Sequence, residues 1–113
     1  TDLLYVHVEA PDEAGHNGDA SAKVQALEDF DARVVGPLLQ GLAQDGVPLR
    51  LVMTPDHRTP IPIRTHTREP VPFVLWGDDV TADDMKTYDE VAAEQGSLQL
   101  DHGHELIPML LQA

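Results

Sequence analysis

The chain has 113 residues, with 20 Asp and Glu against 7 Lys and Arg, a formal charge of -13, 6 His and no Cys. This length suits one domain or part of one. The excess of acidic residues disfavours binding to nucleic acid and to anionic membrane surfaces. Because there is no Cys, any metal must be held by His and carboxylate oxygen. No apolar run approaches the ~20 residues that span a bilayer, no signal peptide opens the chain, and the strand-like run directly after Thr1 suggests part of a longer protein.

The first half of the chain predicts a strand, a loop and a long helix. Residues 3–8 form a nearly continuous apolar run rich in β-formers, which suits a strand covered on both faces, as in a parallel sheet. Residues 9–18 contain one Pro and two Gly and predict a loop. Apolar residues then recur every three or four positions over 24–42, as on one face of a helix. Asp19 or Ser21 is the expected N-cap.

Further along, we expect that long helix to be interrupted at Gly36-Pro37 and to end at Asp45-Gly46. The proline-rich segment 58–72 excludes a regular helix or a central strand. The other predicted elements are strands over 49–53 and 72–76, a polar helix over 83–96, and a C-terminal helix over 105–111 with Pro108 in its first turn. The fold class is therefore α/β, with about three strands and flanking helices.

Two of the predicted loops carry side chains that bind metals in proteins. The first contains Asp12 and His16, and the second contains Asp56, His57 and His66. Each loop follows a strand, and open α/β sheets collect their ligands at the carboxyl ends of strands. Imidazole and carboxylate suit Zn²⁺ and Mn²⁺, and five such groups suit a two-metal phosphoryl-transfer site. Spacing alone leaves open that these are ordinary turn residues with solvated side chains.

Three segments, residues 9–16, 54–60 and 65–73, closely resemble successive motifs of the cofactor-independent phosphoglycerate mutases. The resemblance is to the archaeal-type branch of that family, within the alkaline phosphatase superfamily, and it also covers Lys23 and Asp31 of the long helix. It implies part of an alkaline-phosphatase-like layered fold. Residues 1–113 are then the C-terminal part of the metal-binding catalytic domain. The serine nucleophile and one aspartate ligand are expected upstream.

The resemblance also implies a role for each predicted ligand. Asp12, His16 and His66 would bind one divalent ion, and Asp56 and His57 would bind a second, each ion being Mn²⁺ or Zn²⁺. The parent enzyme would interconvert 3-phosphoglycerate and 2-phosphoglycerate through a phosphoserine, in the cytoplasm, without 2,3-bisphosphoglycerate. Its partners would be a small phosphorylated substrate and the remainder of the parent chain. The 113 residues alone are expected to be inactive.

Several alternatives stay open at this point. The same motifs suit a homoserine kinase or a phosphonate enzyme of the same superfamily, and a non-catalytic metal-binding or interaction module is a further possibility. Arg58 and Arg64 either grip a substrate phosphate or neutralise nearby carboxylates. An exposed apolar edge would also favour self-association.

Overall fold

The computed structural model of the protein describes residues 3–112, which divide into two compact units. The helical unit comprises residues 3–45 and 57–69, and the sheet unit comprises residues 46–56 and 70–112. The class is mixed helix and strand, as predicted.

The helical unit begins with a short helix where the sequence predicted a loop. Helix α1 spans Ala10–His16, so the loop prediction for residues 9–18 was wrong over most of its length. Pro11 is compatible with this helix because it lies in the first turn, where a backbone N–H has no helical partner. Gly18, with φ of +67°, turns the chain into the next helix. The Pro and Gly residues therefore mark the ends of an element.

The predicted long helix is present and is interrupted close to the expected position. Helix α2 spans Ala20–Phe30, a π-helical turn spans Asp31–Val35, and helix α3 spans Gly36–Gln44. The side chain of Asp19 caps α2 by accepting a hydrogen bond from the Ala22 N–H at 2.9 Å. The Gly36 N–H donates to the Asp31 carbonyl, five residues back, which is the π-helical pattern. Because Pro37 has no N–H to donate, the regular α-helical ladder is broken at this point in any case.

The prediction of a strand over residues 3–8 was wrong. The segment has no strand hydrogen bonding, and its large side chains are exposed, with Leu4 65% and Tyr5 77% accessible. Its β-forming composition is real, but a strand exists only where a neighbouring strand accepts and donates its backbone hydrogen bonds. Within residues 3–112 no strand pairs with it.

The sheet unit contains two strands rather than the predicted three. Strand β1 spans Arg50–Met53 and strand β2 spans Val74–Gly77, each within two residues of its predicted bounds. They pair antiparallel, with Leu51 opposite Trp76. The proline-rich segment 58–72 lies in the connection between them, as its composition required.

The rest of the sheet unit is held by polar contacts and short helices. Helix α4 spans only Glu90–Glu94, so the predicted helix over 83–96 was too long. Asp83 instead accepts hydrogen bonds from the backbone N–H groups of Met85 and Ser97. These bonds bring the two ends of the segment that contains α4 together. A 3₁₀ turn over Gly103–Glu105 leads into helix α5 (Leu106–Leu111), which confirms the C-terminal helix.

Two side chains fasten the sheet unit. Arg50 on β1 binds the Asp79 carboxylate with two guanidinium nitrogens, at 2.6 and 2.9 Å, and reaches the Leu110 carbonyl at 3.3 Å. The Tyr88 hydroxyl lies 3.0 Å from the Pro72 carbonyl and 3.3 Å from that of Met53. The pKa of Tyr88 is raised to about 12, mainly because its partly desolvated hydroxyl resists ionisation, although the residue as a whole is 42% accessible.

The most buried part of the helical unit is the contact between α1 and the loop 57–69. Ala14 and Gly15 of α1 are buried there, and Thr59 is 5% accessible. Many larger apolar side chains stay accessible, among them Val24 and Leu27 of α2. Within residues 3–112 no helix combines the length and apolar character needed to cross a bilayer. The buried contact between α1 and the loop is also where the predicted ligands of this unit lie.

Candidate metal centre

Three predicted ligands converge in the helical unit. Asp12 and His16 are four residues apart on α1, so their side chains share one face of the helix. His66 comes from the loop 57–69. One ligand atom from each residue can be chosen so that all three lie within 4.8 Å of one another. The short helix that replaces the predicted loop therefore aligns the first two donors.

The spacing of these donors fits a single divalent ion. His16 Nε2 lies 3.3 Å from Asp12 Oδ2, and His66 Nε2 lies 3.3 Å from the other carboxylate oxygen, Oδ1, so the two imidazoles face different oxygens of Asp12. The two Nε2 atoms are 3.1 Å apart. Ligand atoms bound about 2.1 Å from one ion at tetrahedral or right angles are separated by roughly 3.0–3.4 Å. Two imidazoles and a carboxylate also match the preference of Zn²⁺ and Mn²⁺, so chemistry and distances agree.

A backbone carbonyl orients His16. Its Nδ1 lies 2.9 Å from the Arg64 carbonyl oxygen, which can only accept, so Nδ1 carries the proton and Nε2 is the nitrogen with a lone pair. Such an outer partner is usual for a metal-binding histidine. Arg64 has a φ of +59°, a left-handed conformation that is uncommon outside glycine. This strained position directs the carbonyl towards His16.

Asp12 is held as a carboxylate at the centre of the cluster. The Thr59 hydroxyl donates to Asp12 Oδ1 at 2.6 Å, and this hydrogen bond is the main reason that the pKa of Asp12 is lowered. Burial opposes this as the second-largest effect on the pKa of Asp12, and the neighbouring imidazoles of His16, His66 and His57 each contribute a smaller lowering when protonated. Asp12 is therefore ionised over the physiological pH range, as a ligand must be.

The second predicted pair is divided between the two units. His57 opens the loop of the helical unit, with its Nε2 4.0 Å from Asp12 Oδ1 and its ring stacked on that of His66 at a centroid distance of 3.6 Å. Asp56 ends a segment of the sheet unit and is exposed. The cluster of three therefore has His57 beside it, and the assignment of Asp56 and His57 to a second ion stays a prediction.

The two arginines predicted to bind phosphate both lie in the loop 57–69 of the helical unit. The backbone of Arg58 bridges to that of Thr67, whose N–H donates to the Arg58 carbonyl at 3.2 Å. The guanidinium of Arg64 packs against Gly18, where a Cβ would lie 2.4 Å from Nε. Their role in phosphate binding stays a prediction.

Three further residues support the cluster, although none of them was predicted to be a ligand. Thr59 bonds to Asp12, and the Lys23 ammonium donates to the Thr59 carbonyl at 2.7 Å. Gly15 lets α1 approach that loop closely, since a Cβ would lie 2.6 Å from the Thr59 carbonyl oxygen. In the sequence, Thr59 could have been noticed because it lies two residues after the Asp56-His57 pair, and Lys23 because it is part of the family resemblance.

Comparison with known proteins gives the cluster a family context. A sequence profile described as the metalloenzyme superfamily matches residues 1–112. The chain is 47% identical over 110 residues to a 2,3-bisphosphoglycerate-independent phosphoglycerate mutase of Methanothrix thermoacetophila, covering 97% of this chain and 28% of that protein. It is 50% identical over 110 residues to the 2,3-bisphosphoglycerate-independent phosphoglycerate mutase 2 of Methanothermobacter thermautotrophicus, covering 97% of this chain and 27% of that protein.

A solved structure has a similar fold. A protein from Pyrococcus horikoshii superposes with a TM-score of 0.80 at 32% sequence identity, covering 89% of this chain and 30% of the other. The chain thus spans 28% of the length of the first mutase relative and a comparable share of the solved structure.

Proposed function

The chain belongs to the metalloenzyme superfamily, and from that premise we propose that it is the metal-binding part of a 2,3-bisphosphoglycerate-independent phosphoglycerate mutase. Such an isomerase interconverts 3-phosphoglycerate and 2-phosphoglycerate. The observation that carries the proposal is the convergence of Asp12, His16 and His66, in a chain 47% identical to a protein of that name.

In this proposal the chain supplies ligands for two divalent ions, Mn²⁺ or Zn²⁺. Asp12, His16 and His66 bind the first, and Asp56 and His57 contribute to the second. The rest of the protein provides an aspartate that completes the second position and the serine that carries the phosphoryl group during transfer. When bound, the ions lower the pKa of the attacking hydroxyl and offset negative charge on the phosphoryl oxygens.

The residues of this chain prepare the site before any substrate arrives. Asp12 is kept ionised by the Thr59 hydroxyl, and His16 is kept with its Nε2 lone pair towards the cluster by the Arg64 carbonyl. Preorganised ligands need little rearrangement to bind an ion. Arg58 and Arg64 are the proposed phosphate-binding residues, because a guanidinium matches the geometry of a phosphate group.

The proposed partner of the exposed apolar segment is the remainder of the same enzyme. Residues 3–8 have the composition of a covered strand but expose Leu4 and Tyr5 in this structure. A strand from the rest of the protein would bury them and satisfy their backbone hydrogen bonds. The proposed cellular location is the cytoplasm, where such a mutase would meet a phosphorylated three-carbon substrate.

Calorimetry with Zn²⁺ and Mn²⁺ tests the metal centre. We expect the unaltered chain to bind either ion, and His16→Ala to bind much more weakly because one of three converging donors is removed. His104→Ala is the matched control, since His104 is an exposed histidine of the sheet unit. Equal affinity in the unaltered chain and His16→Ala would refute the assignment.

Phosphotransfer assays separate the candidate activities. The full enzyme containing this chain should convert 3-phosphoglycerate in a metal-dependent manner. Turnover of ATP with homoserine instead would replace the mutase by the kinase alternative. The 113-residue chain alone should show neither reaction, and mutase or phosphatase turnover by a pure sample would contradict its proposed dependence on an upstream serine.

A further inference from the structure

The buried hydroxyl of Thr59 lies between two predicted metal ligands. Its Oγ1 is 2.6 Å from Asp12 Oδ1 and 3.2 Å from His57 Nδ1. Thr59 is 5% accessible, so water does not readily replace either partner. A single hydroxyl therefore contacts a proposed ligand of each ion.

The direction of both hydrogen bonds follows from the available protons. A hydroxyl has one hydrogen to donate, and an ionised carboxylate can only accept. The short bond to Asp12 therefore uses the Thr59 hydrogen. Consequently the contact with His57 requires the ring to donate from Nδ1 to the hydroxyl oxygen.

A second acceptor gives the same proton position independently. His57 Nδ1 also lies 3.3 Å from the Arg58 carbonyl oxygen, which has no hydrogen to donate. Both neighbours of Nδ1 thus favour a proton on that nitrogen. In the neutral ring Nε2 then carries the lone pair, and this nitrogen is 4.0 Å from Asp12 Oδ1.

Thr59 is itself held by its surroundings. Lys23 on α2 donates to the Thr59 carbonyl at 2.7 Å, and Gly15 of α1 packs directly against the same oxygen. These contacts fix the backbone from which the hydroxyl extends. The position of the hydroxyl is therefore set by two helices.

We propose that Thr59 is a positioning residue whose one hydroxyl orients Asp12 and, together with the Arg58 carbonyl, stabilises the Nδ1–H form of His57. Its importance for metal binding rests on the proposed function, whereas the tautomer of His57 does not. Loss of the hydroxyl removes an anchor from Asp12 and an acceptor from His57 at once. Outer partners of this kind change metal affinity by about 10–100-fold when they are removed.

Nitrogen NMR of the metal-free chain tests the tautomer directly, at a pH where the imidazole is neutral. We expect the Nδ1–H form of His57 in the unaltered chain and in Thr59→Ser, and a smaller population of that form in Thr59→Val. An Nε2–H form in the unaltered chain would overturn the proposal. An equal population of the Nδ1–H form in Thr59→Val and in the unaltered chain would also overturn it.

Zinc calorimetry on the same proteins tests the effect on binding. We expect Thr59→Ser to match the unaltered chain and Thr59→Val to bind about 10–100-fold more weakly. Thr67→Val is the matched control, because Thr67 follows His66 and its hydroxyl bonds to no predicted ligand within residues 3–112. If Thr59→Val does not fold, the pair Thr59→Ser and Thr59→Ala differs only in the hydroxyl and should show the same loss.

The outcomes distinguish this proposal from the metal centre itself. No Zn²⁺ binding by the unaltered chain would overturn the proposed centre and the importance of Thr59 for metal binding, while the tautomer of His57 would still be tested by NMR. Zn²⁺ binding that is equal in Thr59→Ser and Thr59→Val would overturn only the role of Thr59.

Discussion

Replacing Gly15 by alanine should destabilise the helical unit, although the same exchange stabilises most helices. In an open helix interior it gains about 0.5–1 kcal/mol. Here the new Cβ would lie 2.6 Å from the Thr59 carbonyl oxygen, whereas ordinary contacts begin at 3.4 Å, so the two segments must separate by about 0.8 Å (3.4 minus 2.6). Overpacking of this kind costs about 1–3 kcal/mol, so the net loss is about 0–2.5 kcal/mol (1 minus 1 to 3 minus 0.5).

The same displacement should weaken the metal cluster. Moving α1 away from the loop by about 0.8 Å (3.4 minus 2.6) would stretch the 2.6 Å hydrogen bond from Thr59 to Asp12, to at most about 3.4 Å (2.6 plus 0.8). That length lies beyond the usual range for a hydroxyl donor. Gly15→Ala should therefore lose zinc affinity as well as stability.

Urea unfolding followed by circular dichroism measures the change, with Gly41→Ala as the control. Gly41 lies within α3, and a Cβ there would meet nothing within 4 Å. Gly41→Ala should therefore gain about 0.5–1 kcal/mol and leave zinc binding unchanged. A Gly15→Ala protein that gains stability in the same way would refute the reasoning from close packing.

Three other perturbations follow from particular contacts. Because the pKa of Tyr88 is raised to about 12, the stability that its neutral phenol contributes is complete below the unfolded pKa of about 10 and is lost as the pH rises through 12. Tyr88→Phe should lose about 0.5–1.5 kcal/mol of unfolding free energy at neutral pH. Unfolding measured as a function of pH should also show a smaller loss of stability at alkaline pH in Tyr88→Phe. Asp19→Ala should cost about 0.5–2 kcal/mol in thermal unfolding because it removes the cap on the Ala22 N–H, whereas an unchanged melting temperature would argue against that cap. The chain should self-associate in light scattering through residues 3–8, and Leu4→Glu with Tyr5→Glu should restore the monomer; association that persists in the double variant would assign it to another surface.

The residues at the site could be predicted from the sequence better than the elements that carry them. Asp12 and His16 were identified as a pair, but the Pro and Gly residues around them suggested a loop. The structure places both on α1, where a spacing of four residues aligns their side chains. The physical reason for the error is that Pro11 is equally compatible with a loop and with the first turn of a helix.

Elements that depend on distant partners could not be predicted reliably. Residues 3–8 have the composition of a strand, but a strand is a property of two segments and not of one. The role of Thr59 depends on Asp12, 47 positions away, and no local pattern contains that pairing. In contrast, the cap at Asp19 was predictable because its hydrogen bond spans only three residues.

The π-helical turn at Asp31–Val35 sets the rotational phase between α2 and α3. Each residue of an α-helix rotates the chain by about 100° about the helix axis. A π-helical turn holds one extra residue without adding this 100° to the rotation of the helix that follows. Deleting one residue there would restore a uniform α-helical ladder and keep α3 nearly in phase with α2, whereas a deletion within α2 or α3 would rotate the side chains beyond it by about 100°. This turn is therefore the place in the helix pair where the chain can lose one residue without turning the face of α3, which is a constraint on insertions and deletions that composition alone does not express.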